Sequence, residues 1–399
     1  MNVTVGVPRE TFPGERRVAL TPRACGVLGK AGLATIVEYS AGIEAGFTDE
    51  EYARHGAQLS SRAEVFKSAG VIVQARTPGA NPDHGRADLA HLRPGQILIG
   101  FGNPLEALRE NLDLAEAGVS YLAMELIPRI TRAQAMDALS SMASIAGYEA
   151  VLLAATALPR MFPMMMTAAG TITPAKVLIL GAGVAGLQAI ATARRLGAVV
   201  SAYDLRPAVK EQIESLGAKF VVLELETLKL EAATGQGGYA KAMDEAFYAR
   251  QRLLLTAVLR EQDVVITTAA VPGRKAPILI TAEMVEAMAL GSVIVDIAAE
   301  RGGNCALTQA GETLVHCGVT VMGPVNLPSN KPCHASQMYA TNVVNLLKLL
   351  LMDGRLVMNT EDQIIRESLV THHGKVVHAG VLQTMEAQGI ASGEAVATQ

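Results

Sequence analysis

The stretch that most constrains this chain is Lys176–Arg206, KVLILGAGVAGLQAIATARRLGAVVSAYDLR. Lys176–Leu180 is an apolar, partly β-branched strand that runs directly into Gly181-Ala182-Gly183-Val184-Ala185-Gly186. An Ala-rich amphipathic run continues to Leu196, and a second strand ends on Asp204, about 20 residues beyond the glycines. Strand, glycines, helix, second strand and acid together form the fingerprint of a βαβ unit that binds a dinucleotide. Gly181 permits the tight turn, Gly183 lets backbone approach a pyrophosphate, and Gly186 lets the helix pack closely on the strand. The open N–H groups and positive end of the helix then face the phosphates. Asp204 is placed to accept from the adenosine ribose and to repel a 2′-phosphate, which favours NAD over NADP; Arg206 tempers that preference. The contacts expected here are Gly181, Ala182, Gly183, Val184, Gly186, Asp204 and Arg206.

A chain of 399 residues has room for about two domains. Half of its residues are hydrophobic and 18% are charged, so it can bury a large core and is not disordered. A net charge of −4 with no basic run provides no electrostatic attraction for nucleic acid or an anionic membrane surface. The four cysteines, Cys25, Cys305, Cys317 and Cys333, form no CxxC and read as free thiols of a reducing compartment. His316-Cys317 and Cys333-His334 are adjacent pairs, but no further ligand cluster accompanies them, so no metal site is expected. The start, MNVTVGVPRE, is a strand pattern without a signal-peptide apolar region,. No apolar run is expected to reach the ~20 residues that span a bilayer. Ala150–Leu158 is broken by Pro159-Arg160, and Leu346–Met352 by Lys348 and Asp353. The expectation is a soluble, cytoplasmic protein whose high hydropathy points to a buried partner surface.

Residues 2–125 alternate strand and helix, which implies a parallel, doubly wound sheet. Strands are expected at Asn2–Val7, Thr35–Ser40, Gly70–Ala75, Ile97–Phe101 and Val119–Met124. Helices are expected at Pro22–Ala31, after Thr48, and from about Pro104. Arg129–Pro159 starts as a polar loop and becomes one long helix. Arg129, Gln134, Asp137 and Ser140 lie within about three turns, and the last three can share a helical face. That face is either simply solvated or a polar cluster that holds a carboxamide and neighbouring phosphates near a domain cleft. The second domain opens at a linker, Thr167–Pro174, and repeats the strand-helix plan to a hairpin at Thr313–Met322. Thr268 and Ala269 end one of its strands and are further expected cofactor contacts. Glu231–Lys241 breaks the rhythm with three glycines and a tyrosine. It reads either as a surface loop or as a lid with Gly hinges that brings Gly238 and Tyr239 over the nucleotide. His334–Leu351 is an amphipathic helix, and the small, polar tail after Gly380 is expected to fray,.

Over nearly its full length the chain resembles the NAD(H)-binding component of proton-translocating NAD(P) transhydrogenase, the leading segment of the alpha subunit, in a family that shares its fold with alanine dehydrogenase. VPRETFPGERRVALTP, MELIPRITRAQAMDALSS, FPMMMTAAGTITPAKVLILGAGVAGLQAIATARRLGA, GGYAKAM and VDIAAERGGN carry the likeness. The resemblance implies two Rossmann-like, doubly wound parallel-sheet α/β domains with a cleft between them. It returns the helix His334–Leu351 to the first domain, so the domains are 1–140 with 330–399, and 141–329. It assigns Arg129, Gln134 and Asp137, with Ser140 just after, to positioning the nicotinamide of NAD(H), and Gly237–Lys241 to a mobile loop. It implies NADP(H) on a partner subunit, direct hydride transfer coupled to inward proton movement, membrane-spanning partner subunits and a homodimer. The component would sit on the inner face of the cytoplasmic membrane through those partners. Two departures stand out: Ala233–Gln236 is longer than the family pattern, and Pro328–Ser336 diverges at what is expected to be a contact surface.

Alanine dehydrogenase is the alternative. It resembles this chain at Arg16 or Arg17 but has lysine where Arg76 stands, histidine where Asn103 stands and aspartate where Glu300 stands. Reductive amination needs a group that exchanges a proton. Asn103 has none to exchange, and an arginine stays protonated. A catalytically silent NAD-binding module is a third class, because fold alone does not establish activity.

Overall fold

The computed structural model describes residues 3–223, 245–269 and 275–390. The chain divides into two compact units, Met1–Met142 with Ser329–Gln399, and Ala143–Pro328. Each is a sheet flanked by helices, the tandem Rossmann-like arrangement.

In the first unit the strands lie in the order Lys375–Val376, Leu369–His372, Ser120–Ala123, Ile97–Phe101, Val71–Arg76, Thr4–Val7, Ala34–Glu38, Gln58–Ser60. The six from the first 125 residues are mutually parallel. The two from the C-terminal segment add an antiparallel edge. Val71–Val73, Leu98 and Ile99 are fully buried, as continuous apolar runs must be when helices cover both faces. Local chemistry marks the helix starts. Thr21 caps Pro22–Lys30 with Pro at the first position, and Thr48 with Glu51 forms a capping box on Asp49–Arg54,.

Two expectations change in this unit. The helix expected from Pro104 begins at Leu108. Asn103 takes a left-handed φ of 48° and its carbonyl accepts from both Glu106 and Ala107 N–H, so a separate turn precedes the helix. The chain after Gly380 is ordered rather than frayed as far as residue 390. Ala379–Ala387 is a helix capped by His378, and it buries Val381 and Met385 in the core beside Leu114 and Val370. Two apolar residues at helical spacing outweigh the small, polar composition around them. The divergent segment Pro328–Ser336 is anchored inward: Ser329 and Ser336 are buried, and Ser336 Oγ accepts from Val18 N–H at 2.9 Å.

In the second unit the order is Lys219–Phe220, Val199–Tyr203, Lys176–Leu180, Val264–Thr267, Val293–Asp296, Val319–Met322, Thr313–His316. All pairs are parallel except the last. Alternate residues of one strand feed opposite cores. Val177 and Ile179 pack with Ala150, Val151 and Ala154 on one face, and Leu178 and Leu180 pack with Leu255, Leu259 and Val285 on the other,. The expected linker Thr167–Pro174 is instead largely a hairpin in which Met165–Thr167 pairs antiparallel with Gly170–Ile172. The Thr167 hydroxyl accepts from Ala169 N–H at 3.1 Å, an ST-turn that the composition TAAG does not advertise. One helix also corrects the membrane reading: Ala138–Ala157 is long and apolar enough to cross a bilayer. Ala150, Val151 and Ala154 are nonetheless fully buried within the protein, which is the behaviour of a core helix.

If the C-terminal helix is a structural element of the first unit, Met385→Ala should lower the unfolding free energy by about 2–5 kcal/mol. Urea titration followed by circular dichroism measures this, and a change below about 0.5 kcal/mol would mean that the helix is not docked.

Candidate functional site

The direction of strand addition reverses at Lys176–Leu180, with Val199–Tyr203 on one side and Val264–Thr267 on the other. Ligands of open α/β sheets bind beyond the carboxyl ends of strands at such a switch point, and the glycine turn stands there. Gly181 is left-handed at φ +98°, and a Cβ on it would lie 2.7 Å from Thr268 Oγ1. A Cβ on Gly186 would overlap the Gly181 carbonyl oxygen, so the helix Val184–Arg195 rests on the turn through bare backbone. Among the described residues, a Cβ on Gly183 would meet nothing within 4 Å. Gly183 is also the N-cap of that helix and makes no side-chain cap hydrogen bond. Open space beside uncapped first-turn N–H groups fits a pyrophosphate. Gly183, Val184 and Ala182 border this space in sequence.

Thr268 serves the turn itself. Its N–H donates to Leu180 O at 2.8 Å and its hydroxyl to Gly181 O at 3.0 Å. Ala269 is held by Asn304, whose Oδ1 accepts from Ala269 N–H at 3.0 Å and whose Nδ2 donates to Ala269 O and Pro277 O. Asn304 is in turn fixed by Asp296, a fully buried carboxylate that accepts from the N–H groups of Ala298, Asn304 and Cys305 and the hydroxyl of Thr308. Asp296, Asn304 and Gly147 are not singled out by the residue pattern, although the first two are in the VDIAAERGGN run. Gly147 gives no local signal: its missing Cβ matters because the site is filled by the Ala185 carbonyl. Gly238 and Tyr239 lie outside the described residues.

Asp204 and Arg206 are found as a pair. Arg206 N–H and Nε donate to Asp204 Oδ1 at 2.8 and 2.9 Å, and Nη2 to Oδ2 at 2.8 Å. Oδ2 also accepts from Ala182 N–H at 2.7 Å. Asp204 therefore ties the second strand to the glycine turn, and its charge is matched by a bidentate guanidinium. The Asp204 hydrogen bond holds the Arg206 guanidinium above its ordinary pKa. A ribose hydroxyl reaching this carboxylate would share an oxygen with Arg206.

In the first unit the Arg129–Ser140 segment is a 3-10 turn, Thr131–Met136, followed by the helix from Ala138. Asp137 is at the junction, not on a helical face. Its Oδ1 accepts from Ser140 N–H at 2.8 Å and its Oδ2 from Ser140 Oγ at 2.6 Å, a capping arrangement. So Asp137 and Ser140 come together, while Gln134 and Arg129 are exposed on either side of Thr131. Residues far along the chain pin that turn. Asn342 and Asn345 donate to Ala135 O at 2.9 and 3.3 Å, and Arg132 forms a bidentate pair with Asp362 at 2.6 and 2.8 Å.

The same unit contains a buried charged cluster. Glu15 accepts from Arg17 Nε and Nη2 at 2.7 and 2.6 Å and from Arg76 Nε at 3.1 Å. The Arg76 guanidinium also lies 4.2 Å from the Phe12 ring centroid,. Burial alone would raise the Glu15 carboxyl, but the Arg17 and Arg76 charges bring it down to about 2. Glu10 accepts from Ala75 and Arg76 N–H, and burial, followed by the charge of Glu15, pushes its carboxyl up to about 8. Arg16 presents its N–H to Ser329 Oγ at 2.6 Å. Asn103 N–H donates to Glu125 Oε1 at 2.6 Å. Glu300 belongs to the second unit, where its Oε1 accepts from Asn326 N–H at 3.4 Å.

Residues 6–146 match the N-terminal domain and residues 150–379 the C-terminal domain of the alanine dehydrogenase/PNT models. This chain belongs to the alanine dehydrogenase/PNT family. The NAD(P) transhydrogenase subunit alpha of Cereibacter sphaeroides is 48% identical over 93% of the chain and 70% of that protein. The first part of NAD(P) transhydrogenase subunit alpha from Rhodospirillum rubrum is 44% identical over 94% of the chain and 97% of that protein. The solved structure of a transhydrogenase from Sinorhizobium meliloti superposes with a TM-score of 0.84 at 42% identity, covering 94% of this chain and all of that one. Within the family, an L-alanine dehydrogenase structure is more distant, with a TM-score of 0.79 at 26% identity over 96% of this chain and 99% of that one.

Asp204 and Glu10 can both be tested in solution. Asp204→Ala should weaken NADH binding by about tenfold or more and improve NADPH binding, because Arg206 is released to meet a 2′-phosphate. Fluorescence titration with both nucleotides checks this, and unchanged discrimination would refute the ribose assignment. The raised Glu10 carboxyl contributes stability that is complete below its unfolded pKa of about 4.5 and is lost as pH rises through about 8,. Denaturant melts should therefore show wild type losing stability across that window, with a smaller loss in Glu10→Gln.

Proposed function

We propose that this chain is the NAD(H)-binding component of a proton-translocating transhydrogenase. The nucleotide lies with its pyrophosphate on Gly181–Gly186 and its ribose at Asp204. Thr268, Ala269, Gly238 and Tyr239 are further contacts. Arg129 and Gln134 orient the nicotinamide, and the Asp137–Ser140 pair holds their segment in place. Bound NADH supplies the hydride, and NADP+ on a partner subunit receives it. Membrane-spanning and NADP(H)-binding subunits complete the machine, and this component is peripheral to the inner face of the cytoplasmic membrane through them. Identity of 48% and 44% to NAD(P) transhydrogenase alpha subunits supports this reading. The exposed apolar hairpin at Met165–Ile172, where Met166 is 76% exposed, supports a homodimer contact.

The observation that carries the reading is the environment of Arg76 and Asn103. Hydride passage between two nicotinamides moves no proton at the reacting carbons, so the site needs orientation and exclusion of water. An amino-acid dehydrogenase needs a proton donor and acceptor as well. Here Arg76 is clamped on Glu15, and an arginine does not release its proton. Asn103 offers an amide. The raised Glu10 carboxyl is no replacement, because both of its oxygens are taken by the backbone at Ala75 and Arg76.

Purified chain should bind NADH in equilibrium dialysis and fail to oxidise it with pyruvate and ammonium; robust turnover would convert the assignment to an amino-acid dehydrogenase. With an NADP-binding partner supplied, Gln134→Asn should leave NADH affinity within about threefold while slowing hydride transfer by about 100-fold or more. Equal losses in both would remove the positioning role from Gln134.

A further inference from the structure

We propose that the turn of the edge hairpin in the second unit is a binding site for a zinc-class divalent metal, formed by Glu286, His316 and Cys317. Thr313–His316 pairs antiparallel with Val319–Met322, and the loop is closed by Cys317 and Gly318 at φ +48° and +78°. Two consecutive positive φ values define the tight two-residue turn that strand twist favours. The turn sets a thiol directly after an imidazole, and the fold brings a carboxylate to both. Glu286 ends the helix Ala282–Glu286, and its Oε1 lies 3.0 Å from His316 Nε2. One donor atom from each of the three residues falls within 4.8 Å of the others. Side chains of Glu286 and His316 are 51% and 34% exposed, so a hydrated ion reaches them without rearrangement of the core.

The donor set specifies the ion class. Thiolate, imidazole and carboxylate are the ligands of Zn²⁺ and its tetrahedral analogues, and a thiolate selects against Mg²⁺ and Ca²⁺. Three protein donors leave a fourth position for water. On binding, the Cys317 thiol gives its proton to solvent, the Nε2 proton that His316 shares with Glu286 moves to Nδ1 of the neutral ring through solvent so that Nε2 can ligate, and no oxidation state changes,. The spacing of the His316-Cys317 pair offers no third ligand, which is why the sequence excludes a metal there. Glu286 precedes His316 by 30 positions and becomes its neighbour only through the sheet edge. The site takes no part in holding the dinucleotide and does not depend on the transhydrogenase reading.

Co²⁺ titration of the full chain tests this. The expected result is one ion per chain, with a thiolate-to-cobalt charge-transfer band in the near ultraviolet and tetrahedral d–d bands in the visible, both displaced by Zn²⁺. Cys317→Ser should abolish the charge-transfer band, and Glu286→Gln and His316→Ala should weaken binding by at least about tenfold. NADH affinity should be unchanged in all three, which reports an intact fold. Zn²⁺ should also raise the melting temperature in a manner reversed by EDTA. Cys25 and Cys305 are buried, and Cys333 is the other accessible thiol, so Cys333→Ser should retain the band. The proposal is overturned if no thiolate band forms, if the band survives Cys317→Ser or vanishes with Cys333→Ser, or if affinity is indifferent to Glu286→Gln.

Discussion

The second unit depends on two backbone contacts at the glycine turn. A Cβ on Gly186 would collide with the Gly181 carbonyl, and one on Gly147 with the Ala185 carbonyl. Three segments therefore meet with no side chain between them: the turn, the helix Val184–Arg195 and the long helix Ala138–Ala157. Close packing of this kind leaves little freedom to shift, since interiors relax only partly around added atoms. The first-turn N–H groups are thus aimed by the packing behind them, which is the preorganisation that the proposed pyrophosphate contact requires. Asp204 reinforces the same geometry from the front through its bond to Ala182 N–H.

The charged groups follow a related logic. Asp204–Arg206 and Glu15–Arg17–Arg76 are largely buried and hydrogen-bonded in bidentate or forked fashion. Such arrangements add little net stability over well-packed apolar groups, but removing one partner is costly because it strands a buried charge. Their value is positional. Each holds guanidinium groups, which release no proton near neutral pH, at a fixed place: Asp204 is matched one-to-one by Arg206, whereas Glu15 is shared by two arginines,. A site that moves hydride alone can tolerate that, whereas one that shuttles protons cannot.

Elements with strong local chemistry are legible in the residues. Thr48 with Glu51, Thr21 with Pro22, the run Ile97–Phe101 and the glycine fingerprint each state their own conformation. What escapes a reading of the residues is set by contacts distant in sequence. The strand Gln58–Ser60 is too short and polar to show a period, and it exists because Ala34–Glu38 offers an edge. Ala379–Ala387 has the composition of a tail until Val381 and Met385 find the core. Asp137 has the spacing of a polar helical face because spacing alone cannot distinguish a cap from the first turn after it. Asp204 reads as a bare acceptor because its neighbour Arg206 is visible in the sequence but the bidentate geometry is not.

The turn at Thr131–Met136 in the first unit illustrates why the C-terminal segment must return to it. A 3-10 turn has poor hydrogen-bond geometry of its own and would be mobile if left alone. Three external clamps remove that mobility: the Asp137 cap on Ser140, the two asparagine donors on Ala135 O, and the Arg132–Asp362 pair. Two of the three come from beyond residue 329. Arg132 is half exposed, and its pair with Asp362 is screened by solvent,, so the buried Asn342 bond is the firmer of the two long-range clamps. Gln134 is consequently an exposed amide on a backbone that is fixed at both flanks. A group placed that way suits the role proposed for Gln134, which is to orient a nicotinamide ring while contributing little to affinity.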